Sequence, residues 1–434
     1  MANTSKYNAK NTLRFAGDVN IDKVVITTSR GVTLNIMAQM LELHIYEDLF
    51  SPFITGSMVL RESLDLMNLM PLIGEEFLEL TVTTPTIPNA QIKGKFHIYK
   101  MNDRTLTGDR NVAYELNFIS IESLIDANKK ISKVLSGKIS DIVKTFVNDK
   151  VDGLESEKKF IVEPTRNSIK YISNFWSPVK NLTYLSENSI AETQAPSFLF
   201  FENRDGFNFR SLDQLYSGQV LQKFKYDKYT RDNFPLGGNA LNIIQDYSRI
   251  GTYEVPVVHD YMDRLRSGML GSRLFSYDST KKTYTAKNYS AQARFPSQKH
   301  LNPNPLFSKK STVRPQSLQI LYPRAFETFT SFGDTTNARI LQERISVLKM
   351  AEAQKMNITV PGRCDYTVGM VVDVTMFKNQ PIKKRDLNED ILDKMLSGKY
   401  LVGAINHTIT SEGHDCYMEL IKDSTIKDTN KNYG

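Results

Sequence analysis

Two blocks of the sequence alternate apolar and polar residues with a period of two, and this constrains the fold more than any other feature. In the first, residues 23–122, the runs are KVVITT, TLNIMAQMLELHIYEDL, FITGSMVLRE, EFLELTVTT, KFHIYKM and YELNFISIE. Successive side chains of an extended chain point to opposite faces, so such runs predict antiparallel strands with one face buried. Gly74, Pro85, Pro88, Gly94 and Gly108 are placed to turn the chain between them. The second block follows Ala351 with NITVPG, VGMVVDVTMF, KYLVGAINHTITS and CYMELIKDS, and a short helical interruption is expected at residues 388–397. The strands of the first block are expected to close a barrel or small sandwich, and strands resume in the second.

The blocks also correspond to one another. In the first, Gly74 opens GEEFLELTVTT, KGKFHIYKM begins at Lys93 and AYELNFISIE ends the unit; in the second, Gly369 opens GMVVDVTMF, SGKYLVGAI begins at Ser397 and CYMELIKDS ends it. Phe96 and Tyr114 are 18 residues apart, Tyr400 and Tyr417 are 17 apart. Gly74 to Gly94 spans 20 residues and Gly369 to Gly398 spans 29, the difference falling in the helical interruption. Duplication of one barrel explains this spacing; turn grammar shared by antiparallel barrels is the alternative. Three copies of a duplicated chain would supply six similar units, a closed ring matching a sixfold partner on one side and a threefold one on the other.

Between the blocks the period changes. Residues 136–147 place Ile139, Ile142, Val143, Phe146 and Val147 on one helical stripe, with Ser136 as its cap. Residues 176–191 read as a second helix, with Pro178 in the first turn and Val179, Leu182, Leu185 and Ile190 on one face. SFLFFENRDGFNFRSL returns to period two across a turn at residues 203–206, which predicts a hairpin.

Residues 217–345 differ in kind, with 19 Lys and Arg against 10 Asp and Glu, whereas the whole chain carries 55 against 48 and a net charge of +7. No acidic residue lies between Asp278 and Glu327, while Lys281, Lys282, Lys287, Arg294, Lys299, Lys309, Lys310, Arg314 and Arg324 supply nine positive charges. Tyr277, Tyr284, Tyr289, Phe295, Phe307 and Tyr322 are interleaved with them. Cations that neutralise phosphates beside rings that stack on bases would suit nucleic acid. A basic arm packed on its neighbours is the plainer reading, because no known nucleic-acid module accompanies the strip. The expected organisation is α+β, mainly β: a flexible arm (1–20), a first β-barrel (21–125), a helical and mixed connecting domain with an aromatic hairpin (126–216), a basic loop-rich insertion (217–345), a second, similar antiparallel β-barrel (346–425) and a tail (426–434).

At 434 residues the chain has room for about three domains. Its first twenty residues hold no apolar run of signal-peptide type, and no stretch approaches the roughly 20 apolar residues that span a bilayer, so a soluble protein made in a cytoplasm is expected. Cys364 and Cys416 lack Cys-x-x-Cys spacing, which excludes a disulfide framework or a structural zinc site built from cysteine. Gly137-Lys138 lacks the upstream glycine of a phosphate loop. Glu75 and Glu76 would face apart in a strand and are expected as surface charge rather than as a catalytic pair. Glu42 with His44, and His407 with His414 and Cys416 across a turn at residues 411–413, could ligate a metal, but no further ligand completes either set. No metal, no cofactor and no catalytic residue is therefore expected, and the chain is not expected to be an enzyme.

Four segments in order resemble the baseplate hub proteins of contractile-tailed bacteriophages, the family whose relatives form the N-terminal part of type VI secretion spike proteins. FITGSMVLRESLDLMNLMPLIGEEFLEL is similar to the family's first-barrel stretch, with its Pro-x-x-Gly-Glu-Glu approach to a strand. YELNFISIESLIDANKKISKVLSGKISDIV resembles the barrel exit, SFLFFENRDGFNFRSLDQL the aromatic hairpin with Glu202, Asn203 and Gly206, and SGKYLVGAINHTITSEGHDCYMELIKDS the closing hairpin. The resemblance implies a structural virion protein of the tail baseplate, assembled in the host cytoplasm. It implies a homotrimer whose two barrels per chain form a pseudo-sixfold ring around an axial channel for genomic DNA. The tail tube protein would dock on one side and the trimeric central spike protein on the other, with baseplate wedge proteins as further partners and without stable membrane association.

No catalytic residues carry over from the family, and residues 217–345 map onto none of its elements. Within them Lys281, Lys282, Lys287, Arg294, Lys299, Lys309, Lys310 and Arg314 are candidate contacts to acidic baseplate neighbours or to DNA in transit. The competing reading is a stand-alone nucleic-acid-binding tail protein acting through the basic strip. A wall-degrading hydrolase is the third, for which nothing nominates an acid or a nucleophile.

Overall fold

The computed structural model describes residues 13–63, 72–107, 111–226, 243, 245–256, 260–278, 282–308, 317–323, 337–378 and 392–429. The first block forms seven strands: β1 (Asn20–Thr27), β2 (Thr33–Asn35), β3 (Met40–Asp48), β4 (Thr55–Glu62), β5 (Phe77–Thr83), β6 (Gln91–Leu106) and β7 (Val112–Ser120). They hydrogen-bond in the order β2-β1-β5-β6-β7-β4-β3. The period-two pattern buries one face, with Val24, Leu43, Met58, Leu80, Leu116 and Phe118 in a single core. The run expected as one strand from Thr33 breaks at residues 36–39, where Ile36 turns into that core and the Gln39 carbonyl accepts the Arg61 N–H. Gly94, expected in a turn, lies inside β6 opposite Leu80; the Phe96 ring fills the space its side chain would need. Glu76, expected at the surface, is buried and accepts the N–H groups of Ile73 and Gly74 at 2.8 and 2.9 Å, so it ties the turn ahead of β5.

Residues 136–138, expected to begin a helix, instead belong to β8 (Val134–Lys138). The helix starts at Ile139 and ends at Asn148, so Ser136 is paired in a strand and does not cap it. The predicted stripe of Ile139, Ile142, Val143, Phe146 and Val147 is nevertheless buried. β9 (Phe160–Val162) and β10 (Ser168–Ile172) follow, the latter antiparallel to β8. The second helix spans Pro178–Glu187, capped by the Ser177 side chain with Pro178 in its first turn. The aromatic hairpin is β11 (Phe198–Asn203) and β12 (Gly206–Ser211), turning where expected, with Asn203 opposite Gly206. Its Phe198, Phe200, Phe207 and Phe209 fill a core shared with both helices.

Residues 217–345 are built into the fold wherever they are described. β13 (Val220–Lys225) and β14 (Thr252–Glu254) join the main sheet, whereas β15 (Gly271–Asp278) and β16 (Thr283–Ser290) form a hairpin. After β17 (Asn304–Pro305), β18 (Gln319–Pro323) lies parallel to β15. The helix Asn337–Ala351 then leads into β19 (Gln354–Pro361), β20 (Val371–Thr375), β21 (Gly398–Thr410), β22 (His414–Lys422) and β23 (Ser424–Thr425). The helix expected at residues 388–397 lies outside the described residues as far as 391, and residues 394–396 form a turn.

The order β19-β22-β21-β20 repeats the order β4-β7-β6-β5. In both units the first strand pairs antiparallel with the last, and the three later strands form a meander. Gly74 (φ 92°) and Gly369 (φ 81°) occupy the left-handed region ahead of the first meander strand, a conformation glycine adopts without steric cost. The two units are not separate closed barrels, however. The 13-residue β21 pairs with β20 near its start and with β3 from Ala404 onward, producing one 13-stranded sheet. The ends of the first ladder are joined by the chain running from β2 into β3, and no described ladder closes a barrel.

The middle segment is stitched to the end of the second unit by His300. Its Nδ1 lies 2.5 Å from Asp423 Oδ2 and its Nε2 2.9 Å from the Phe295 carbonyl, while Asp423 also accepts the Leu301 N–H at 3.2 Å. Burial disfavours the imidazolium, but the hydrogen bond and charge of Asp423 outweigh it and raise His300 above its ordinary 6.5. A raised folded-state value stabilises the fold fully below about 6.5 and is lost as pH rises through it. The thermal midpoint is therefore expected to fall as pH rises above 6.5 in a way that His300→Gln abolishes; identical pH profiles for the two proteins would refute the role.

Candidate functional site

Of the basic residues nominated from sequence, Lys281, Lys309, Lys310 and Arg314 lie outside the described residues. Lys282 sits in the β15–β16 turn and Lys287 is exposed on β16. The Arg294 guanidinium is engaged by Glu343 of the helix Asn337–Ala351, with Nη2 2.9 Å from each carboxylate oxygen. Lys299 donates its backbone N–H to Asp213 at 3.4 Å and leaves its side chain exposed. Tyr289, Phe295 and Phe307 are buried in the core of the second unit, whereas Tyr277 and Tyr284 are exposed. Among the described residues, Tyr289, Phe295 and Phe307 thus belong to a core, Lys282, Lys287, Tyr277 and Tyr284 to an exposed hairpin, and Lys299 is exposed outside both.

What the fold brings together instead lies where its parts meet. Glu47 of β3 is buried: its Oε1 accepts the Arg204 N–H at 3.1 Å, and its Oε2 accepts the Thr367 hydroxyl and, at 3.1 Å, the Val368 N–H. One carboxylate therefore binds the first unit to the turn of the aromatic hairpin and to the loop before β20. Burial pushes its pKa up to about 7 in spite of these bonds and the nearby Arg204 charge. Lys158 bridges Glu122 at 2.7 Å and Glu202 at 2.6 Å, and Glu202 also accepts the Ile54 N–H at 3.1 Å. On the far side, Arg344 of the helix Asn337–Ala351 donates to the carbonyls of Ser186, Pro196 and Phe198 at 3.2, 3.0 and 2.8 Å. These contacts went unmarked in the sequence, but Glu47 has a signal there: it falls in phase with Leu43 and Ile45, the buried positions of β3.

The two histidine pairs considered from sequence have different fates. His44 Nε2 pairs with Glu42 at 3.1 Å and its Nδ1 faces Thr408 at 3.1 Å, an ordinary cross-strand contact of β3 with β21. His407, His414 and Cys416 are all buried and converge. His407 Nδ1 lies 3.0 Å from His414 Nε2, and Cys416 Sγ lies 3.3 and 3.5 Å from those two nitrogens. Burial lowers His407 to about 4 and His414 well below its ordinary value, so both rings are neutral. Among the described residues this is the one group of three or more such side chains whose ligand atoms all lie within 4.8 Å of one another. No described helix is long and apolar enough to cross a membrane.

No protein-family model matches the chain. Among curated proteins it is similar to the "Probable baseplate hub protein gp334" of Vibrio phage KVP40, 21% identical over 411 residues and covering 89% of this chain and 90% of that protein. Among solved structures it resembles the 43 kDa tail protein of prophage MuSo2 from Shewanella oneidensis, with a TM-score of 0.54 at 9% identity over 93% of this chain and 99% of that one. A tail protein from Neisseria meningitidis gives a TM-score of 0.53 at 11% identity over 92% and 96%. At these identities the two structures establish a shared fold over more than nine tenths of the chain.

Proposed function

We propose that this chain, which has the fold of phage tail proteins and a baseplate hub protein among its relatives, is the central hub of a contractile-tail baseplate. The observation that carries the reading is the end-to-end likeness to the KVP40 protein, which leaves little of either chain unaccounted for. The hub is a homotrimeric ring that joins a hexameric tail tube to a trimeric spike and keeps an axial channel for the genome. Its support lies in the repeated strand order: a chain with two alike units presents six alike units per trimer. The role is structural and not enzymatic, in keeping with relatives named as tail and baseplate components.

Coexpression with the tail tube and spike proteins of the same genome tests the assignment. A complex containing all three is expected, with tube and spike failing to associate when this chain is omitted. Tube and spike joining without it would refute the hub role. The basic middle segment is assigned to contacts with acidic baseplate neighbours or DNA in transit, with Lys282, Lys287 and Lys299 the exposed nominated residues on its described surface.

A further inference from the structure

His407 lies near the end of β21, and His414 and Cys416 lie at the start of β22, on either side of the turn joining the two strands. Each falls on the buried phase of its strand, His407 with Ile405 and Ile409, the other two with Met418 and Leu420. Such positions are normally apolar, yet three buried lone-pair donors occupy them.

Hydrogen bonding does not satisfy this triangle. A ring nitrogen carries either a proton or an in-plane lone pair, whereas sulfur alone can donate and accept at once. Two protons can therefore be usefully shared among three contacts, and one contact is left without a proton of its own. The outward nitrogen of His414, Nδ1, makes no hydrogen bond, so nothing on the far side of that ring competes to set its tautomer, whereas the Tyr366 backbone acts on His407.

A cation at the centre satisfies all three donors together. Zinc bonds of about 2.0–2.1 Å to nitrogen and about 2.3 Å to sulfur give tetrahedral edges of about 3.3 Å between nitrogens and about 3.5 Å between nitrogen and sulfur. The observed separations of 3.0, 3.3 and 3.5 Å are close to those edges. We propose that His407 Nδ1, His414 Nε2 and Cys416 Sγ form a binding site for a borderline-soft transition-metal ion, zinc or copper, the class that takes imidazole and thiolate together. Binding releases the thiol proton to solvent and leaves a thiolate and two neutral imidazoles on the ion.

The place of the site gives the ion a structural task. His407 is paired with Ile45 of β3, and the His414 carbonyl accepts the Gly362 N–H at 2.7 Å. At Gly362 a Cβ would fall 2.3 Å from His414 Cδ2, so the loop before β20 packs directly on the ring. The ion would thus staple the β21–β22 hairpin where it meets the first unit. This inference rests on the cluster alone and is independent of the hub assignment.

Elemental analysis of the tag-free chain tests it, expecting about one zinc or copper per chain after gel filtration. Exchange into cobalt should add a thiolate-to-cobalt charge-transfer band that Cys364→Ser retains and Cys416→Ser removes. Metal-free protein that gains no sulfur band on cobalt addition would overturn the proposal, and so would metal retained in folded Cys416→Ser or His414→Gln. Should those variants fail to fold, the wild-type and Cys364→Ser spectra still decide, since these two thiols are the chain's whole supply.

Discussion

Arg344→Ala is expected to cost about 3–5 kcal/mol, the range for removing one partner from a buried charged network. The guanidinium donates to three carbonyls, of Ser186, Pro196 and Phe198, of which the Ser186 carbonyl also accepts the Ser189 N–H at 3.4 Å. Burial already pulls its pKa down to about 10, still charged at neutral pH, so the fold bears a desolvation cost and the three bonds offset it. The loss should be local in its first effect. The helix Asn337–Ala351 should loosen from the Pro178–Glu187 helix and β11, because Arg344 ties them through polar bonds. Urea unfolding followed by circular dichroism should show a lower midpoint, and amide exchange should rise first around residues 186–198. A shift below about 1 kcal/mol would mean that the carbonyls find water at little cost.

Glu47→Ala should cost about 2–4 kcal/mol, somewhat less, because it also removes a carboxylate that is poorly solvated where it stands. It leaves two buried N–H groups, of Arg204 and Val368, and the Thr367 hydroxyl without their acceptor. The pH dependence has a definite sign. With the folded value near 7 and the ordinary value 4.5, the folded state holds the extra proton between them, so this group's contribution falls as pH rises from about 4.5 through about 7. Glu47→Gln removes that slope while keeping one acceptor oxygen. Unfolding midpoints of the three proteins at pH 5 and pH 8 check both claims: the fall between them should shrink in the glutamine variant to the part that His300 supplies, and an undiminished fall would assign the slope to another group.

Much of this architecture can be read from the residues, and the failures have physical causes. Period-two runs locate strands because one face is buried, and the spacing around Gly74 and Gly369 marks two units with one strand order. The turn between Asn203 and Gly206 is legible for the same local reason. Pairing of β21 with β3 is not, since it joins residues more than 350 positions apart and depends on the length of β21. Ser136 misleads because VLSGK is equally compatible with the strand that β10 captures. Glu47, His407 and Cys416 share one lesson: a polar residue in the apolar phase of a strand is a buried polar residue, and its partners come from another element. Arg344 gives no such signal, because its three carbonyl partners belong to backbone that any sequence would supply.

The hub reading stands or falls on assembly. Native mass measured over a concentration series, with particle images of the largest species, should show about three times 49.5 kDa and ring-shaped views with six similar lobes around a channel. A chain that stays monomeric at every concentration, and remains so when mixed with the spike protein of the same genome, would contradict it.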